Sequence, residues 1–134
     1  FLSYFMLDTN MASYVIKGNP PEVRKQLATL PITSIAVSVV TQAELFYGLA
    51  RKGHPTAFTN LIREFLLRLQ VLPWDSNAAM VYGDFRASCT ASGSTLGALD
   101  MMIAAHARSR GLMLVTNNTA EFERVQGLRL ENWA

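Results

Sequence analysis

The sequence predicts an α/β fold: a central parallel sheet of about five strands with helices on both faces, in three α/β/α layers. Two observations predict it. Short apolar runs alternate with segments of helical period along the whole chain, and strands separated by helices return parallel to one another. The 134 residues are 50% apolar and only 16% charged, a balance that fills one core without disulfide staples and excludes a disordered chain. One domain spanning residues 1–134 is the expectation, with no internal repeat, linker or low-complexity tract.

Each element has its own signal. Tyr4–Leu7 reads as a first strand that stops at Asp8, and Thr9–Lys17 as a helix closed by Gly18-Asn19-Pro20. The stretch PPEVRKQLATL opens with prolines and an early Glu, a good helix entry, and ends near Pro31. Thr33–Ser38 is rich in β-branched residues and reads as the second strand. Thr41–Arg51 is helical up to Gly53, and Ala57–Gln70 is a longer amphipathic helix. Val71-Leu72 makes a brief third strand before Pro73. Ser76–Ala91 is helical, Ser92–Gly97 a loop, and Leu99–Arg110 helical again. Leu112–Thr116 is the plainest strand of the chain. A helical turn near Glu121–Val125 and a last strand near Leu128–Leu130 complete the series.

The single cysteine, Cys89, cannot form an internal bridge and suits a reducing, cytoplasmic setting. No apolar run approaches the roughly 20 residues of a membrane span, so no membrane association is expected. Phe1 to Leu7 has neither a basic n-region nor a cleavage site and reads as a strand, not a signal peptide. A net charge of +2, without a Lys/Arg block, permits nucleic-acid contact but does not argue for it.

In parallel sheets, ligands gather beyond the carboxyl ends of the strands. The residues there are Asp8-Thr9-Asn10, Thr41 to Glu44, and Asn117-Asn118 with Glu121; Asp100 enters its helix just after the Gly97 loop. Each acid has a structural alternative. Asp8 can cap the first helix, worth about 1 kcal/mol. TQAE (Thr41–Glu44) has the form of a capping box, and NTAE (Asn118–Glu121) has the same spacing. Asp100 can be a first-turn charge on the helix dipole. Together the four weigh more, because the chain has only 10 acids and these four fall at junctions that the fold brings to one edge. Asp8 and Asp100 lie in apolar sequence, and crowding buried carboxylates costs several kcal/mol unless a cation neutralises them. Oxygen ligands without His or Cys favour Mg²⁺, with Mn²⁺ as the other option. The residues alone reach an acidic metal pocket and name no substrate.

MLDTN, SVVTQAELFYG, LDMMIAAHARSRGLMLVTNNTAEFERV and LRLENW, in this order from Met6 to Trp133, resemble the PIN-domain ribonucleases. More closely they resemble the VapC toxins of bacterial type II toxin–antitoxin modules. The resemblance implies a PIN-like fold and a carboxylate cluster of Asp8, Glu44 and Asp100 that holds Mg²⁺, with Asp8 and Asp100 as the metal ligands. It matches Thr116 to the small hydroxyl residue after the penultimate strand and gives Asn10 a supporting polar role. Some relatives carry an Asp in a Thr-Asn-Asp stretch where this chain has Asn118, and the nearest acid is Glu121. Either residue can fill the fourth position. The implied activity is metal-dependent endoribonuclease cleavage of RNA, within this VapC branch a structured RNA such as tRNA, that inhibits translation. The implied partners are a VapB-type antitoxin over the acidic pocket, an RNA substrate and a second copy of the chain. The apolar surplus on Ala57–Gln70, where Leu67 adds to the stripe Phe58, Leu61, Ile62, Phe65, Leu66, Leu69, agrees with a homodimer.

Other residues read blandly. His106 lies about 240° around its helix from Asp100 and points away from the acids, as a packing or surface residue. His54 reads as a turn residue. Arg108 and Arg110 favour a helix dipole, or with Arg86 meet phosphates. Among rival functions, a haloacid-dehalogenase-like phosphatase wants a second Asp where this chain has Asn10. A catalytically weak PIN-fold binding module stays open because the fourth acid is absent.

Overall fold

The computed structural model describes residues 3–134; Phe1 and Leu2 at the apolar start lie outside the described residues. In chain order the elements are β1 (Phe5–Leu7), α1 (Thr9–Lys17), α2 (Pro21–Ala28), a 3₁₀ turn (Ile32–Ser34), β2 (Ile35–Ser38), α3 (Val39–Arg51), α4 (Thr56–Arg68), β3 (Gln70–Leu72), α5 (Ser76–Ser92), α6 (Ala98–Ser109), β4 (Met113–Val115), α7 (Thr119–Phe122) and β5 (Leu130–Glu131). The strands form one parallel sheet in the order β3-β2-β1-β4-β5, so β1 is central. Leu7 stands opposite Val37 on one side and Val115 on the other, which aligns the carboxyl ends of the three middle strands.

Strand alternation builds the two layers of the core. Leu7, Ile35, Val37 and Val115 face a cluster with Met11, Ile16, Val23, Ile62 and Phe65, supplied by α1, α2 and α4. Met6 and Leu114 face the opposite cluster, with Phe85, Ile103 and Phe122 from α5, α6 and α7. Each such side chain contributes roughly 1.5–3 kcal/mol by leaving water. At the turn after α1, Gly18 adopts φ 74°, and a Cβ there would stand 2.7 Å from the Arg24 guanidinium. That guanidinium caps α1 from α2, its Nε donating to the Val15 carbonyl at 2.7 Å and its Nη2 to Ile16 at 3.0 Å. Among the described residues, no helix is long and apolar enough to cross a membrane.

Several boundaries differ from the sequence reading by a residue or more. The helix expected up to Gln70 ends at Arg68, with Gln70 in β3, and the turn expected at Glu121–Val125 is α7, Thr119–Phe122. Three further differences have a clear local cause. Helix α3 starts at Val39, not Thr41, because the Ser38 hydroxyl caps it by accepting from the Val40 amide at 3.1 Å. Thr41 is thereby a buried residue inside the first turns, and no capping box forms between Thr41 and Glu44. Thr33 and Ser34 lie in the 3₁₀ turn, where the Ser34 hydroxyl donates to the Pro31 carbonyl at 2.6 Å, so β2 starts at Ile35. The last strand is Leu130–Glu131, set by the Leu114 amide donating to Arg129 and the Thr116 amide donating to Glu131, each at 2.9 Å.

His106 is neither on the surface nor merely packed: it is fully buried, with Nδ1 2.8 Å from the Ser38 hydroxyl. Burial lowers its pKa from 6.5 to about 4, helped by the Arg110 guanidinium and opposed by Asp75 and the Pro73 carbonyl. In the unfolded chain it takes up its proton near 6.5, so between 6.5 and about 4 the unfolded state binds more protons than the folded one. Stability is therefore fully present above that window and falls as pH drops through it. The loss should reach about 3 kcal/mol relative to a His106→Asn variant. Urea melts of both proteins across this range measure it; the difference between the profiles isolates His106, since the carboxyls are common to both.

Candidate active site

The chemistry-bearing residues gather where the middle strands end. Asp8 follows β1 directly; its backbone amide donates to the Val115 carbonyl at 3.0 Å, fixing it to the adjacent strand β4. Its Oδ1 accepts from the Met11 amide at 2.8 Å, so it is the N-cap of α1, and it is only 4% exposed. Burial raises its pKa above the usual carboxylate value. The Thr116 hydroxyl and the Met11 amide work against that rise, and the charges of Asp100 and Glu44 add to it. Two elements distant in sequence thus bring their acids into electrostatic reach of the central strand. Asp100, in the first turn of α6, is half-buried, and burial raises its pKa too. It makes no hydrogen bond to another described residue through its side chain.

Glu44 projects from α3 toward the start of α1, where its Oε1 accepts from the Thr9 hydroxyl at 2.6 Å. Thr9 Oγ1 also lies 3.1 Å from the hydroxyl of buried Thr41. This small chain holds Glu44 beside Asp8. In the sequence Thr9 is only the residue after Asp8 and Thr41 only a candidate helix cap; no spacing rule connects Thr9 to a glutamate 35 positions on.

Thr116, fully buried at the end of β4, accepts from the Asn118 amide at 3.0 Å. Asn118 itself is exposed and begins α7 without a side-chain capping bond, so the second expected capping box is absent as well. Glu121, in α7, keeps Oε2 buried without a hydrogen-bond partner. Asn10 is exposed on α1. Neighbouring Asn117 donates through Nδ2 to the Tyr14 hydroxyl at 2.7 Å, linking the β4–α7 loop to α1. The structure therefore joins Asp8, Glu44, Asp100 and Thr116, while Asn10, Asn118 and Glu121 form no hydrogen bond with those acids.

Among the described residues, no three Asp, Glu, His or Cys side chains stand close enough to hold a metal ion as they are. The donor chemistry nevertheless fits a hard divalent cation. The acids offer only oxygen, Glu121 has an unsatisfied buried oxygen, and the one ion pair among the described residues, Arg110 with Asp75 at 3.8 Å, neutralises none of them.

The fold and the acid-lined edge define a class, and the comparisons agree with it: the pattern of the PIN domain matches residues 5–128. A tRNA(fMet)-specific endonuclease VapC of Shigella flexneri is 45% identical over 130 residues, covering 97% of this chain and 98% of the relative. The enzyme of the same name from Salmonella typhimurium is 41% identical, covering 96% of this chain and 97% of the relative. Among solved structures, DNA-bound VapBC from Salmonella typhimurium superposes with a TM-score of 0.90 at 40% identity, covering 98% of this chain and 99% of that one. VapBC2 of Rickettsia felis, bound to a promoter DNA fragment, gives 0.89 at 32% identity with both chains covered in full. The chain belongs to the PIN-domain family and, within it, to the VapC ribonucleases.

The double role of Asp8 separates two variants. Its raised pKa means that ionising it costs native stability, a cost that grows as pH rises from 3.8 through the folded value. Asp8→Asn keeps an oxygen for the Met11 amide and removes the charge; Asp8→Ala removes both. In EDTA at neutral pH, thermal and urea melts should find the Asn variant at least as stable as wild type. The Ala variant should be about 1 kcal/mol less stable than the Asn variant.

Proposed function

We propose that this chain, as one domain over residues 1–134, is a Mg²⁺-dependent endoribonuclease toxin of a type II toxin–antitoxin module, cleaving tRNA and so inhibiting translation in the cytoplasm. The observation that carries the reading is Asp8: a buried carboxylate at the end of the central strand of a VapC chain, under the charges of Glu44 and Asp100. Support for tRNA comes from the Shigella and Salmonella relatives, both named as tRNA(fMet)-specific endonucleases.

Asp8 and Asp100 would hold the Mg²⁺ (Mn²⁺ suits the same donors), which when bound lowers the pKa of a coordinated water and polarises a phosphoryl oxygen. The remaining work falls to the chain. Glu44, oriented by Thr9, accepts a proton from the attacking water. The water oxygen bonds to phosphorus as the bond to the 3′-oxygen breaks, and that oxygen takes a proton from solvent, leaving a 5′-phosphate and a 3′-hydroxyl. Asn118 offers a side-chain carbonyl oxygen at the rim, and Glu121 an unsatisfied carboxylate oxygen. Thr116 and Asn10 support the edge, Thr116 by holding the Asn118 backbone in place.

The partner in this reading is a VapB-type antitoxin, as in the VapBC complexes of Salmonella and Rickettsia, and the toxin is a homodimer. Exposed apolar side chains on α3 and α4 support protein coverage on that side: Phe46, Tyr47, Leu61 and above all Leu67, at 85% exposure. The antitoxin group that best matches the acid edge is an arginine, whose fork pairs with carboxylates and neutralises them.

Two outcomes test the reading. Glu44→Gln and Asp100→Asn should each reduce cleavage of a tRNA pool by on the order of a hundredfold or more, and EDTA should abolish it for wild type. Mapping of the cut ends should find 5′-phosphates; 2′,3′-cyclic phosphates would mean the ribose hydroxyl is the nucleophile and the mechanism is wrong. Separately, adding the co-encoded antitoxin should raise the Mg²⁺ concentration needed for cleavage. Replacing its pocket-facing arginine should restore activity without dissociating the complex, as followed by size-exclusion chromatography.

A further inference from the structure

We infer that the buried hydrogen bond between His106 and Ser38 is a positioning pair for the acid edge, setting how the helix that carries Asp100 stands against the helix that carries Glu44. The inference rests on the reading of that edge as a cation-holding nuclease site.

The two partners sit on the two acid-bearing elements. His106 follows Asp100 in α6, and Ser38 is the N-cap of α3, the helix of Glu44. Both are fully buried, so water does not compete for their 2.8 Å bond. The Ser38 oxygen also accepts from the Val40 amide at 3.1 Å. One hydroxyl thus fixes the first turn of α3 and, through the imidazole, the placement of α6. Beyond that bond the ring's polar neighbour is the Pro73 carbonyl, which stands outside good hydrogen-bond geometry and leaves buried Nε2 unpaired among the described residues.

The acids need such a tie unequally. Glu44 is held by Thr9, and Asp8 by its bond to the Met11 amide. Asp100 has no side-chain hydrogen bond of its own, so its position is that of α6. Among the described residues, the other side-chain ties of helix α6 are Trp74 Nε1 donating to the Met102 carbonyl at 3.0 Å, Arg108 over the Phe85 ring, and the Arg110–Asp75 ion pair at its C-cap. None of them leads to another acid-bearing helix of the edge. The pair therefore links the helix of the least-held carboxylate to the helix of one that a hydrogen bond holds. Packing alone also keeps α6 in place, through Ile103 and its neighbours in the core, so the claim concerns placement rather than folding.

The test compares wild type, His106→Leu, His106→Asn and Ser38→Ala. Mn²⁺ is titrated into each metal-free protein by calorimetry, without RNA, alongside melts in EDTA. Leucine fills the space without a hydrogen-bonding group, while asparagine offers an amide that can accept or donate near the place of Nδ1. The Kd for Mn²⁺ should weaken about tenfold in His106→Leu and Ser38→Ala, as when residues behind metal ligands are replaced, and recover in His106→Asn. If folded His106→Leu and Ser38→Ala bind Mn²⁺ like wild type, the pair is core packing only and the inference is overturned. The same follows if His106→Asn binds as weakly as His106→Leu. Should the leucine variant not fold, Ser38→Ala and His106→Asn decide the matter below their melting temperatures. Failure of wild type itself to bind Mn²⁺ overturns the metal reading and the inference with it; normal binding by wild type and variants alike overturns the inference alone.

Discussion

A carboxylate removed from water at the end of the central strand governs the rest of this structure. Asp8 is 4% exposed, its backbone is bonded to β4 and its side chain caps α1. Burial, joined by the charges of Asp100 and Glu44, raises its pKa, so holding it ionised at neutral pH costs stability. A carboxylate serving only as a helix cap would sit as well in solvent. Its burial beside two further acids, without an ion pair to offset them, is what a cation would relieve.

The fold supplies this arrangement through order rather than through any unusual local conformation. Because β1 is central and its neighbours end level with it, the starts of α1 and α3 and the end of β4 meet at one edge. Two small networks then finish the placement. Thr9 and Thr41 hold Glu44 near Asp8, and the Thr116 hydroxyl serves both the Asp8 environment and the Asn118 backbone. Threonine suits these places, since a short β-branched side chain brings a hydroxyl into a tight space with few rotamers to restrict.

Much of this was legible in the sequence because it rests on period and punctuation. The apolar run before Asp8, the prolines opening α2 and the β-branched run into Ser38 each announce their element locally. Asp8 and Glu44 were legible together because strand–helix junctions of a parallel sheet share an edge. Asp100 follows a helix–helix loop, and its apolar setting and the family resemblance, not that rule, picked it out. What escaped depends on contacts between distant segments. The start of α3 moved to Val39 because Ser38, read as a strand residue, turned out to cap the helix. The capping-box spacing at Thr41 and Glu44 misled, since Glu44 bonds to Thr9 across 35 residues instead. His106, read as a packing or surface residue, is buried against Ser38, and no pattern in its own helix could show that partner.

The claim that Asp8 is a strained carboxylate awaiting a cation is tested most directly by its own titration. Carboxyl carbon NMR of the protein labelled at aspartate, with Asp8→Asn to assign the resonance, follows its ionisation with and without Mg²⁺. The account predicts that Asp8 titrates above the ordinary aspartate value of 3.8 in EDTA and well below its EDTA value once Mg²⁺ is added. A titration at or below 3.8 in EDTA, unmoved by Mg²⁺, would contradict it.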